Sequence, residues 1–126
     1  SNAPLVTLIH PAAVVSDFAQ IGAGSVICAG AVVNVDAVLG YAVVVNTGAT
    51  VDHDCRLDDA VHISPGAHLS GDVHVGRRSW IGVGACIKPG IHIGSDVIVG
   101  AGAVVVSDIS DGVTVVGNPA RPVESK

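Results

Sequence analysis

The sequence predicts an all-β fold, a parallel β-helix wound from six-residue steps, and three observations predict it. Starting at Ile9 and stepping by six, the chain reads Val15, Ile21, Ile27, Val33, Leu39, Val45, Val51, Leu57, Ile63, Leu69, Val75, Ile81, Ile87, Ile93, Val99 and Val105, so all seventeen positions hold Ile, Val or Leu. The residue four further on in each step is always small or aliphatic, from Ala13 through Ala49, Cys55 and Ala85 to Ile109. Third, the 126 residues are 49% hydrophobic yet contain one Phe, one Tyr and one Trp beside 16 glycines. Such a core is filled by small and β-branched side chains rather than by aromatic anchors.

The period decides between elements. Six residues of α-helix turn about 240° round the axis, so this spacing makes no helical stripe. A short strand followed by a turn fits it, with the aliphatic and the residue four later pointing inward, and repetition winds the chain into a helix of strands. A sandwich would need independent strands to hold one phase through their loops for about a hundred residues. Glycine often follows the aliphatic, as in Ile21-Gly22, Leu39-Gly40, Val75-Gly76 and Ile93-Gly94, where a turn needs a permissive backbone.

Taken in order, residues 1–8 are a lead-in, 9–110 the repeats and 111–126 a tail that closes the helix end, as repeat proteins require. Ser1-Asn2-Ala3 reads as the remnant of a cleaved tag, and the chain has no Met. No run approaches 18 apolar residues without a glycine or polar residue, so a spanning helix is not expected. The net charge is −5 with no cluster of Lys or Arg, which argues against nucleic acid as a partner. Cys28, Cys55 and Cys86 form no C-x-x-C and no even framework, so they read as small packing residues in a reducing compartment, the cytoplasm by default.

The repeat [LIV]-[GAED]-x-x-[STAV]-x over residues 9–110 resembles that of the hexapeptide-repeat acyltransferases. The resemblance implies a left-handed parallel β-helix with three hexads per coil, against the usual crossover hand. Seventeen hexads then give roughly 5.7 coils, about 27 Å long at a strand spacing of ~4.8 Å, with residues 18 apart stacked. It also implies a homotrimer, with acetyl-CoA bound in grooves between adjacent prisms.

Asn46-Thr47-Gly48-Ala49-Thr50-Val51-Asp52-His53-Asp54-Cys55, followed by Val61-His62-Ile63-Ser64-Pro65-Gly66, is similar to the signature of bacterial sugar acetyltransferases. Two branches share it: N-acetyltransferases of nucleotide-linked 4-amino sugars and O-acetyltransferases of sialic acid. Thr7-Leu8-Ile9-His10-Pro11 resembles the segment that joins an N-terminal nucleotide-sugar domain to the helix in those proteins, and the resemblance implies that this sequence is either the catalytic domain alone or a native short variant. The residues implied are His53 as general base, Asp54 as its orienting acid, Asn46 at the acceptor sugar, and His62, Val83 and Ala101 at acetyl-CoA. An imidazole suits the base because its ordinary pKa lies near neutrality.

Each has a plainer role beside it. His53 holds a turn, His62 is a surface residue, Asn46 is a turn former, and the glycines flanking Val83 and Ala101 serve turns. Asp54 stands where the family has Glu, and strand neighbours point to opposite sides, so Asp52 or a carboxylate of another subunit stays open as the orienting acid. Lys88 or Arg121 would meet the CoA phosphates, Arg121 within a Gly117-Asn118-Pro119-Ala120-Arg121 tail that resembles the family's ending. No metal is expected: His62, His68 and His74 fall on successive faces, and His74 stacks with His92 above Arg56 as a ladder rather than a ligand set. A scaffold that has kept the fold without the chemistry is the reading from a different class.

Overall fold

The computed structural model describes residues 5–123, so the expected tag remnant at 1–3, residue 4 and the last three residues lie outside it. Each hexad makes a two-residue strand and a turn, and the strands stack into three sheets of eight, six and five strands, all parallel except the last strand of the first sheet. The result is a three-faced β-solenoid of about six coils, and the described residues contain no helix. The first face carries Val26–Ile27, Val44–Val45, His62–Ile63, Trp80–Ile81 and Ile98–Val99. The second carries Val32–Val33, Thr50–Val51, His68–Leu69 and Cys86–Ile87, and the third Val38–Leu39, Arg56–Leu57, His74–Val75 and His92–Ile93.

Every parallel pair joins residues 18 apart up to Ile98–Val99, as in His62 with Trp80 and Ile63 with Ile81. The second residue of each strand turns inward. Val33, Val45, Val51, Ile63, Val75, Ile81 and Ile93 are all 0% exposed. So are Ala31, Ala37, Ala49, Val61, Ala67 and Ala85, which fill the corners where the prism is narrowest. That narrowness is why the interior takes no ring: Phe18, Tyr41 and Trp80 all point outward.

The turns explain the small inward residues. Where Ala occupies the corner, its N–H is bonded across the turn, as from Ala49 to the Asn46 carbonyl at 3.1 Å. Val43 and Val97 instead donate to a serine of the coil below. Ser79 Oγ accepts from the Val97 N–H at 3.0 Å and donates to the Gly94 carbonyl at 2.7 Å. Ser25 does the same for Val43 and Gly40, at 3.1 and 3.2 Å. Buried hydroxyls are thus satisfied twice over, as a dry interior demands.

The cysteines divide. Cys55 packs as a core residue, 1% exposed, while Cys28 is half-buried and Cys86 lies exposed on the second face. The expectation that all three are packing residues therefore holds for Cys55 and not for Cys86, because Cys86 is the outward residue of its strand. At the far end, Thr114–Val116 adds a strand to the first sheet, and Arg121–Pro122 folds back antiparallel on it. The Ala120 N–H donates to the Val104 carbonyl at 2.8 Å, so the Gly-Asn-Pro-Ala turn lies over the last coil.

Candidate active site

His53 lies in the turn between the second and third faces, beside Asp54 in the same turn. Asp54 has φ 59°, in the left-handed region, which an L residue with a short polar side chain tolerates best. The strand rule that sends neighbours to opposite sides does not operate in such a turn. The Asp54 carboxylate reaches back to His53 Nδ1 at 2.9 Å. Both side chains are over half exposed, at 55% and 57%.

A second carboxylate fixes the main chain. Asp52 Oδ1 accepts the His53 N–H at 2.7 Å and the Asn34 side-chain amide at 3.0 Å. These two bonds hold the Asp52 carboxyl below its ordinary range, the His53 bond having the larger effect. Asp52 orients the backbone of His53 and Asp54 orients its ring. The Asp54 bond raises the His53 pKa above its ordinary value, and the charges of Asp52, Asp54 and Asp72 add to the rise. With Nδ1 engaged, Nε2 is the nitrogen left to exchange a proton.

His62 belongs to the first face and is half-buried. Its ring lies flat on Trp80, with centroids 3.9 Å apart and planes 8° from parallel. Burial pushes its pKa down, so the neutral imidazole is favoured near neutral pH. The two histidines are thus tuned in opposite directions.

The other expected residues fall on a different edge. Asn46, Val83 and Ala101 sit in the turns between the first and second faces, with Val83 and Ala101 exposed and Asn46 partly so. His53 is at the opposite edge of the second face, across one side of the prism, at most roughly 20 Å of extended chain. One protomer therefore brings together His53, Asp54 and Asp52, and separately Asn46, Val83 and Ala101, but does not join the two groups. Lys88 is exposed in the His53 edge, and Arg121 is exposed in the tail.

The remaining histidines follow the step of 18. His68 takes a hydrogen-bonding distance of 2.7 Å to Thr50 Oγ1 on the second face. On the third, His74 meets Asp58 at 3.1 Å and stands edge-on to His92, 4.6 Å between centroids, with Arg56 as its strand partner below. Among the described residues no three His, Cys, Asp or Glu side chains converge as metal ligands.

Two residues near the site escape the sequence reading. Trp80 and Gly71 are 18 residues after His62 and His53, and that single step is the signal that finds them. Trp80 supplies the shelf for His62. Gly71 is buried, and a Cβ built on it would fall on the His53 ring, 3.0 Å from Cδ2 and closer still to Nε2 and Cε1.

The repeat and the three-faced prism define a protein built on a six-residue step, with an exposed His-Asp pair on its edge. Residues 72–107 match the family model described as bacterial transferase hexapeptide, six repeats. No curated protein matches the chain. Among solved structures, it resembles the acetyltransferase domain of PglB from Neisseria gonorrhoeae at 58% identity and a TM-score of 0.96, over 97% of this chain and 60% of that one. That domain is also solved with acetyl coenzyme A. PerB from Caulobacter crescentus, solved with CoA and GDP-perosamine, is 49% identical at a TM-score of 0.95, over 96% of this chain and 58% of that one. WeeI from Acinetobacter baumannii is 36% identical at a TM-score of 0.91, over 94% and 58%. The chain is thus similar to acetyltransferases over nearly all of its own length and spans about three fifths of the length of these relatives.

Proposed function

We propose that this chain carries the catalytic fold of an acetyl-CoA-dependent N-acetyltransferase that acts on the amino group of a nucleotide-linked sugar. The observation that carries the reading is the His53–Asp54 pair, with Nδ1 held at 2.9 Å by a carboxylate and the ring exposed at a prism edge. Nε2 removes a proton from the acceptor amine as its nitrogen attacks the thioester carbonyl. The Asp54 carboxylate stabilises the imidazolium that forms. The C–S bond then breaks, the acetyl group stays on the sugar nitrogen as an amide, and the CoA sulfur leaves with the proton that His53 returns.

His62, stacked flat on Trp80, lies on the first face, around the corner that carries Val83 and Ala101. We assign these three to the thioester and pantetheine arm of acetyl-CoA, and Asn46 to the acceptor sugar. Small and exposed side chains at 83 and 101 let an extended chain lie against the backbone. Because His53 and this group occupy opposite edges of one face, a single prism holds half a site. Two prisms side by side in a homotrimer complete it. Similarity to proteins solved with acetyl-CoA, CoA and GDP-perosamine supports the donor and the acceptor class. The three free cysteines suit a cytoplasmic setting, and among the described residues no helix is long and apolar enough to cross a membrane.

The test is release of CoA from acetyl-CoA with GDP-perosamine or dTDP-4-amino-4,6-dideoxyglucose as acceptor. The His53→Ala variant is expected to lose about 10²- to 10⁴-fold in kcat, the range of a positioned general base. Equal rates in variant and wild type would remove His53 from the chemistry. Transfer to sialic acid, and to neither amino sugar, would move the acceptor to a hydroxyl.

A further inference from the structure

We propose that Gly71 is a positioning residue for His53: it is glycine because the ring of the base occupies the volume a side chain would need. The inference rests on the reading of His53 as base and names the residue that sets where its Nε2 lies.

The glycines of this prism fall into classes. Many adopt the left-handed φ that favours glycine, among them Gly48, Gly66 and Gly84. Others have no such φ but lie against the next coil: a Cβ on Gly76 would meet the backbone of Gly94 and Ser95 at 2.5 and 2.6 Å, and one on Gly82 the Val99 carbonyl oxygen at 2.6 Å. Those glycines are required by the fold itself. Gly71 belongs to neither class. Its φ is outside the left-handed region, and the three atoms nearest its would-be Cβ are all in the His53 ring. Backbone φ therefore accepts an L side chain at 71, and the nearest obstacle to one is the imidazole.

That imidazole has little freedom to yield in place. Nδ1 is bonded to Asp54 and the main-chain N–H to Asp52, so a methyl group at 71 swings the ring outward, away from both its seat and its carboxylate. Nε2 is the atom nearest the would-be methyl. The nitrogen that takes the proton is thus the one displaced.

The experiment compares Gly71→Ala with wild type for melting temperature, His53 imidazole signals by NMR against pH, and kinetics with acetyl-CoA and GDP-perosamine, and repeats the kinetics in a His53→Ala background. Expected are a melting temperature no lower than wild type, a His53 titration midpoint moved down as the Asp54 bond is lost, and kcat lower by about 10- to 100-fold with the acetyl-CoA KM unchanged, the cost of about 1 Å of misplacement. In the His53→Ala background the same substitution leaves the residual rate unchanged, because no ring remains to be displaced.

Unaltered His53 signals and kcat in Gly71→Ala overturn the proposal, as does an equal further loss in the His53→Ala background. Should Gly71→Ala fail to fold, the double variant decides: folding there shows that the conflict is with the ring, and failure there makes Gly71 a requirement of the prism and overturns the proposal. If the wild-type chain transfers no acetyl group at all, it is the base reading that fails, and the NMR titration alone still decides whether Gly71 seats the ring.

Discussion

Replacing Ser79 by Ala removes one hydroxyl and strands two main-chain groups. Ser79 is 1% exposed, and its Oγ is the partner of both the Val97 N–H at 3.0 Å and the Gly94 carbonyl at 2.7 Å. Both groups are buried and have no other partner, and the rearrangement open to them is the direct bond across the turn that the Ala corners make. A buried polar group left without a partner costs about 1–3 kcal/mol. Two such groups, less some relaxation of an exposed neighbouring turn, give an expected loss of about 2–4 kcal/mol. For a chain of this size that lowers the melting temperature by roughly 6–20 °C.

Ser25→Ala is the internal control, since its two bonds are longer at 3.1 and 3.2 Å and it lies near the less buried first coil. The assay is urea denaturation followed by far-ultraviolet circular dichroism, with Ser79→Ala losing more than Ser25→Ala. A Ser79→Ala loss below about 1 kcal/mol with unchanged denaturant slope would refute the reasoning, because an orphaned pair of that kind cannot be so cheap.

Two further perturbations concern the histidines. In the proposed role His53 must be neutral to act, so activity is expected to rise with pH through its pKa, which the Asp54 bond holds above the ordinary value. Asp54→Asn removes that charge, and the acid limb of the kcat/KM profile is expected to move to lower pH while kcat falls; an unmoved limb would assign the orientation to another carboxylate. Trp80→Ala uncovers His62, whose pKa burial depresses, and the His62 NMR titration midpoint is expected to rise. The sign for stability follows: with the folded pKa below the unfolded value, the unfolded chain binds the proton more readily, so the favourable contribution is present above about pH 6.5 and is lost as pH falls through the folded value. Trp80→Ala should therefore flatten the acid side of the stability profile.

The fold was legible because its constraint is strictly periodic. Every inward site from Ile27 to Val105 answers to the same narrow interior, so one spacing found them all. The site is a departure from that period, and its legibility is uneven. His53 stood out as a polar residue at an outward turn position, but its partner did not, because alternation along a strand says nothing about a left-handed residue such as Asp54. The clamp of Asn34 on Asp52 was hidden for a different reason: it joins residues 18 apart through side chains, and both residue types are ordinary turn formers in their own right. Applied to His53 and His62, the same step reaches Gly71 and Trp80. What no spacing within one chain supplies is the proposed union of the His53 edge with the Asn46 and Val83 edge, since that would need a neighbouring prism.

The uniform register has a consequence for length. Because each coil through Ile98–Val99 rests on residues 18 positions away, an in-phase deletion or duplication of one whole coil would shorten or lengthen the prism and leave every downstream side chain on its own face. A change of six residues would carry each downstream strand to the next face, separating His53 from Gly71 if it fell between them. A change of one residue would exchange inside for outside. Length variation in this molecule is therefore quantised, and a natural history of insertions should show up as whole coils or as loops bulging from the corners, with fractional turns selected away.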